Sequence, residues 1–249
     1  MTAATLRKSS PSARDSIETR VQAIDWDQAV ASLDGTGCAR FEQLLTPDEC
    51  GEIASLYADD SRFRSTVVMA RHGYGRGEYR YFAYPLPQLV AQLRPALYAR
   101  LLPVANRWRA ALGKGEPFPA RHSEYLARCH AAGQTRPTPL ILRYGRGDYN
   151  CLHQDLYGDL AFPVQAAFLL SEPAADFAGG EFVLTEQRPR MQSRASVVPL
   201  QAGEAVVFAV NQRPVQGSRG TYRVTMRHGV SEVLSGSRHT LGVILHDAA

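Results

Sequence analysis

From Pro139 onward the chain is cut into short apolar or β-branched runs: residues 139–144, 149–154, 164–171, 180–185, 196–200, 204–210, 222–228 and 240–246. Gly, Pro, Asp and Asn clusters separate them. Runs of this length suit strands better than packed helices, and the turn signals between them fold each strand back on its neighbour. Eight such strands predict a β-sandwich or jelly roll. Alternate residues of a strand share one face, so this architecture restricts which side chains can meet.

The preceding half reads as largely helical. Ile17, Val21, Ile24, Val30 and Leu33 suggest one or two short helices. Thr46-Pro47-Asp48-Glu49 is a helix start, with Thr46 as cap, Pro47 at the first position and Glu49 reaching back. A helical pattern runs through Leu86, Leu89, Val90, Leu93, Leu97, Leu101, Ala105, Trp108 and Leu112, and Pro95 and Pro103 are expected to kink or divide it. Another helix is expected over about 120–131. Residues 62–84 are strand-like and aromatic.

Residues 1–14 hold Ser, Ala and three basic residues without an apolar stretch. They read as a flexible leader and not a secretory signal, which makes the cytoplasm the expected compartment. The expected class is α+β: a helical region over 15–137 packed on a jelly-roll core over 138–249, as one integrated unit over 15–249. No apolar run approaches the roughly 20 residues of a membrane helix, so no membrane partner is expected. The four cysteines, Cys38, Cys50, Cys129 and Cys151, form no Cys-x-x-Cys pair and suggest no disulfide framework. A net charge of +4, carried almost wholly by arginine, favours anionic partners weakly.

The chemistry concentrates in Leu140–Asp155, LILRYGRGDYNCLHQD. His153 and Asp155 are two apart, so on a strand both point to one side. A second histidine from a distant strand would complete a 2-His-1-carboxylate triad with three open metal positions, the arrangement of non-haem Fe(II) oxygenases. His228, at the end of a strand pattern, is the expected partner. His246 is its rival, but no later strand would remain to carry an arginine. Ten residues after His228 comes Arg238, with Thr240 on the same strand face, and its fork can pair with the distal carboxylate of a dicarboxylic co-substrate.

The ordered set Tyr144, His153-x-Asp155, Gly179-Gly180-Glu181-Phe182, His228 and Arg238-x-Thr240 resembles the Fe(II)- and 2-oxoglutarate-dependent dioxygenase superfamily over about 138–246. The resemblance implies a double-stranded β-helix with His153, Asp155 and His228 on iron. It implies Arg238 on 2-oxoglutarate, assisted by Tyr144 and Thr240. It also implies dioxygen as co-substrate, with ascorbate as a stimulant. Arg143-Tyr144 followed by His153-Gln154-Asp155 is similar to AlkB-type nucleic-acid demethylases, whereas Gly-Gly-Glu-Phe and His228-Gly229-Val230 look more like the prolyl-hydroxylase branch. The whole chain resembles a bacterial group of 2-oxoglutarate oxygenases assigned to oxidative demethylation of damaged DNA. It departs from the AlkB pattern at Leu142, where an asparagine is usual, and at Ile244, where a second arginine is usual. It departs again at Tyr157, where a base-reading acid often stands.

The expected substrate is an alkylated nucleobase in DNA or RNA. Arg71, Arg76 and Arg80 alternate with Tyr74 and Tyr79, a mixture that can track phosphates and stack bases. It equally describes a hairpin whose tyrosines pack and whose arginines are solvated. Tyr157, Arg188 and Arg190 join this candidate substrate set, and Arg188, Arg190, Arg194, Arg213, Arg219, Arg223 and Arg227 would form a phosphate track if they shared one face. The alternatives are a prolyl-hydroxylase-like enzyme acting on a protein side chain or small molecule, and a cupin-like binding module without catalysis.

Overall fold

The computed structural model describes residues 15–218 and 220–249; the leader read over residues 1–14, and Arg219, lie outside them. The N-terminal half runs α1 (Ile17–Gln22), α2 (Trp26–Thr36), β1 (Cys38–Phe41), α3 (Pro47–Ser55), β2 (Phe63–Val68), β3 (Gly75–Arg76), β4 (Glu78–Phe82), α4 (Gln88–Ala111) and α5 (His122–Ala131). Then follow β5 (Leu140–Gly145), β6 (Tyr149–His153), β7 (Val164–Leu169), β8 (Phe177–Gly179), β9 (Phe182–Gln187), β10 (Arg194–Val198), β11 (Ala205–Ala209), β12 (Gln212–Gly217), β13 (Gly220–Val230) and β14 (Val233–Val243). Among the described residues, no helix is long and apolar enough to cross a membrane.

Two antiparallel sheets face each other. The larger has the order β1-β11-β7-β14-β5-β4-β2, with β8 on β14; the smaller has β10-β9-β13-β6-β3, with β12 on β13. β7 is buried at every position, one face turned into the barrel and the other covered by neighbouring elements. Helices cover the larger sheet from outside: α2 packs on β1 and β11, and α3 and α4 on β14.

The local chemistry accounts for the helices. Thr46 Oγ1 accepts from Glu49 N at 3.2 Å while Glu49 Oε2 accepts from Thr46 N at 2.8 Å, the reciprocal cap expected for α3. α4 departs from the expected division at Pro95 and Pro103, because it continues through both. Both prolines lie on its exposed face, where the carbonyls they leave unbonded meet water. Its buried face carries Val90, Leu93, Leu97, Leu101, Val104 and Trp108.

The N-terminal half is less purely helical than its periodicity suggests. β1 pairs with β11, and β2 and β4 extend the larger sheet through β4–β5. Two strands escape the sequence pattern. β8 is three residues long, and β12, Gln-Arg-Pro-Val-Gln-Gly, reads as a turn because of Pro214. Proline is tolerated there because β12 has a partner on one side only. The last strand starts at Val233, so Arg238 sits in its middle and not at its start.

The segment after β14 is tied down by charge. Arg94, 2% exposed, donates from Nη2 to Asp247 Oδ1 at 2.9 Å and from Nε to Ile244 O at 3.0 Å. Tyr84 Oη donates to Asp247 Oδ2 at 2.8 Å, and His130 Nε2 lies 2.8 Å from the same oxygen. Removing Arg94 takes the buried cation away from a buried carboxylate, leaving Tyr84 and His130 on its other oxygen. Arg94→Ala should therefore lose about 3–5 kcal/mol in chemical denaturation, with the denaturant dependence unchanged.

Candidate metal and co-substrate site

Strand pairing builds the centre. β6 and β13 pair with His153 opposite His228, and their rings lie 4.2 Å apart. Gly229 permits the approach, since a Cβ there would stand 2.6 Å from Asn150 O. Asp155, two residues past His153, places Oδ1 3.4 Å from His153 Nε2 and Oδ2 3.3 Å from His228 Nε2. One donor atom from each of the three residues lies within 4.8 Å of the others.

Surrounding bonds set the orientation of each donor. His153 Nδ1 donates to Cys151 O at 2.8 Å, which fixes the tautomer and leaves the Nε2 lone pair free. Asp155 is held at both oxygens: Tyr157 Oη donates to Oδ1 at 2.9 Å and Gln165 Nε2 to Oδ2 at 2.6 Å. Gln154 Nε2 points the other way, to Asn211 Oδ1 at 2.8 Å and Met226 O at 2.9 Å, tying the His153 segment to the strand two residues before His228. Burial opposes ionisation of Asp155, but the charge of His228 and the bonds from both histidines outweigh it and hold the carboxyl well below its usual range. Burial, then the charge of His153, lowers His228. Burial also opposes the charged form of His153, but the hydrogen bond and charge of Asp155 outweigh it and raise the pKa of that imidazole. A divalent cation binding here would take the carboxylate ionised and displace protons from the imidazoles.

Arg238 lies on β14 opposite Tyr144 of β5. It is 2% exposed, and its Nη1 donates to Thr240 Oγ1 at 2.5 Å. The guanidinium sits 5.6 Å from the Tyr144 ring centre and 5.8 Å from that of Phe177. Its Nε has no bonding partner, and burial lowers its pKa to about 10. Among the described residues no carboxylate pairs with it. A buried cation without an anion costs several kcal/mol, so this corner suits an anionic ligand. Gly180 makes room for it: φ is +63°, and a Cβ would fall 2.9 Å from Arg238 Cδ. Tyr144 Oη completes the corner and accepts from Asn150 Nδ2 at 3.4 Å.

His153, Asp155, His228, Arg238, Tyr144 and Thr240 all line one cavity of about 490 Å³. Two imidazoles with one carboxylate suit Fe(II) with open positions, and the lone buried arginine suits a dicarboxylate reaching from it. The residues fit the metal and co-substrate expected of them.

The other expected residues divide. Tyr74 and Tyr79 line the cavity; Tyr74 is half exposed and stacks on His72 at 5.3 Å. Tyr157 also lines it, but its hydroxyl serves Asp155 and does not stand free to read a base. Arg71 and Arg76 are exposed and are not part of the cavity wall. Arg80 turns away, donating to Asp60 at 2.5 Å and lying over Tyr57. Arg188 is taken by Glu186 at 2.6 Å, and Arg190 is exposed away from the cavity. Arg213 is wholly buried against Glu186, so the basic run over 187–228 forms no continuous surface track. His246 is buried, and its Nδ1 accepts from Phe162 N at 3.2 Å outside the cavity wall. Sequence reasoning missed Gln165. Its signal was one amide inside the apolar run Val164–Leu169, where a buried polar group must have a partner.

Comparison with known proteins agrees. The Oxygenase-NA family, described as an oxygenase catalysing oxidative methylation of damaged DNA, matches residues 77–248. An uncharacterised protein of Mycobacterium tuberculosis is 51% identical over 168 residues, covering 68% of this chain and 72% of that one. An oxidoreductase of the 2OG-Fe(II) oxygenase family from Burkholderia pseudomallei has a similar structure. It is 16% identical with a TM-score of 0.52, covering 100% of this chain and 99% of that one. A prolyl 4-hydroxylase from Phytophthora capsici is 17% identical with a TM-score of 0.53, covering 95% and 66%. The chain belongs to the Oxygenase-NA family and is an oxygenase, with the jelly-roll fold of the 2-oxoglutarate-dependent enzymes.

The two bonds on Asp155 can be tested through metal binding. Gln165→Leu should weaken Co(II) binding by about tenfold to a hundredfold in an optical titration. Tyr157→Phe should weaken it in the same direction, because each variant frees one of the two carboxylate oxygens.

Proposed function

We propose that this oxygenase uses Fe(II), 2-oxoglutarate and dioxygen to hydroxylate N-alkyl groups on nucleobases of DNA or RNA. The observation that carries the reading is Arg238, a buried guanidinium with no carboxylate partner among the described residues, in the same cavity as the His153, Asp155 and His228 donor set. When bound, iron with 2-oxoglutarate and dioxygen supplies an oxidant that takes hydrogen from a C–H bond and returns a hydroxyl, with succinate and carbon dioxide as co-products.

The chain's own residues do the rest. His153, Asp155 and His228 hold the metal, and Tyr157 and Gln165 hold Asp155 in place. Arg238 binds the far carboxylate of 2-oxoglutarate through charge-assisted bonds, while Thr240 fixes the guanidinium from beside it. Tyr144 closes that corner. Leu142, Leu152, Leu156, Phe182 and Phe208 line the cavity with apolar surface and limit water near the reacting carbon. Tyr74 and Tyr79 offer ring faces to a planar base. The hydroxymethyl product on nitrogen breaks its own C–N bond, giving formaldehyde and the repaired base. The family's description as acting on damaged DNA supports the substrate class.

The decisive measurement is succinate and formaldehyde release with Fe(II), ascorbate and 2-oxoglutarate, with and without an N-methylated single-stranded oligonucleotide. Release of both products that depends on the oligonucleotide, and is lost in Asp155→Ala, is the expected result. Succinate without formaldehyde would point to hydroxylation of carbon, as in a prolyl-hydroxylase-like enzyme. Arg238→Ala should raise the 2-oxoglutarate KM by about tenfold to a hundredfold while Co(II) binding is kept; an unchanged KM would remove Arg238 from this role.

A further inference from the structure

Several arginines are neutralised by the protein's own carboxylates. Arg20 pairs with Glu49, Arg80 with Asp60, Arg94 with Asp247, and Arg188 and Arg213 with Glu186. One cationic group beside the cavity mouth is different. Leu156, 52% exposed, lines the main cavity and also a smaller groove whose walls include Arg109, Leu112, Lys114, Phe162 and Asn211. Asn211 also accepts the Gln154 bond, so this groove is one side chain removed from the segment bearing His153 and Asp155.

Arg223 reaches the same corner from β13, donating from Nη2 to Leu112 O at 3.3 Å. Arg109 donates from Nε to Glu116 O at 2.5 Å and lies over the Phe118 ring at 4.8 Å. Both bonds go to main-chain carbonyls. Among the described residues, no carboxylate forms an ion pair with Arg109, Lys114 or Arg223. Asp34 is already engaged by Arg107 and by Trp108 Nε1 at 2.7 Å. Burial, then the charges of Arg223 and Arg109, lowers the pKa of Lys114. Three cations gathered without a counter-charge repel one another, and an anion seated among them would relieve that repulsion.

We propose that Arg109, Lys114 and Arg223 form a phosphodiester-binding surface for the stretch of nucleic acid that flanks the nucleotide presented to the cavity. The proposal rests on the nucleobase reading above. Leu156 joins this surface to the cavity, whose lining also includes Leu152 and Tyr74, each about half exposed. Such a lining receives sugar and base faces while the cations hold the backbone. Contacts of this kind add affinity without reading sequence.

The test is fluorescence anisotropy of full-length protein with a labelled, unmodified oligothymidylate across a salt series. The variants are the triple Arg109→Ala/Lys114→Ala/Arg223→Ala and the single Lys114→Glu. Melting temperature serves as the fold control. Three lost phosphate contacts should flatten the log–log salt dependence by about two and weaken low-salt binding at least about tenfold. Lys114→Glu should weaken it in the same direction. If the wild-type protein binds the strand and both folded variants bind it equally well, this surface assignment falls and the nucleobase reading stands. If the wild-type protein binds no strand at all, both fall together.

Discussion

The antiparallel register of β6 on β13 is the constraint on which the rest of the site depends. It sets His153 directly across from His228, from segments 75 residues apart in sequence. Slipping the pairing by one residue would turn one imidazole out of the barrel. The register is held by more than the ladder. Gly229 lets the backbones approach, and Gln154 bonds the main chain beside His228. The glutamine between His153 and Asp155 is thus a fastener between the two strands.

A second layer follows from burial. Asp155 and Arg238 are charges inside an apolar barrel, which is unfavourable unless each is compensated. Asp155 is compensated within the chain, by two histidines, Tyr157 and Gln165. Arg238 has Thr240 and aromatic neighbours but no carboxylate partner among the described residues. The donor set and the lone cation face the same cavity, and that asymmetry separates a site for metal and dicarboxylate from a structural ion-pair network. A binding module with an incidental His-x-Asp would have no reason to bury an unpaired arginine beside it.

The Arg/Tyr-rich stretch 71–84 illustrates where sequence reasoning loses its grip. Its alternation reads equally as a surface that tracks phosphates and stacks bases or as a hairpin with packed tyrosines and solvated arginines, and a strand sends neighbours to opposite faces. Tyr79 went into the cavity, and Arg80, one residue on, went outward to Asp60. The same logic dispersed the later basic run, in which Arg213 became a buried partner of Glu186. The cations that remained together came from a helix end, a loop and a strand: Arg109, Lys114 and Arg223.

The sequence by itself determined the parts governed by local spacing. The short apolar or β-branched runs and turn residues set the jelly roll, and Thr46 to Glu49 set the start of α3. The order of Tyr144, His153, Asp155, His228 and Arg238 marked the candidate site, because metal and carboxylate binding call for side chains of those types whatever surrounds them. Tertiary structure alone decided which polar groups would be partners. That Gln165 serves Asp155, that Arg80 faces away, that α4 runs unbroken through its prolines and that Arg109, Lys114 and Arg223 converge are outcomes of packing between distant segments. Hydrogen bonds and ion pairs form with whatever the fold brings within reach, and sequence spacing carries little of that distance.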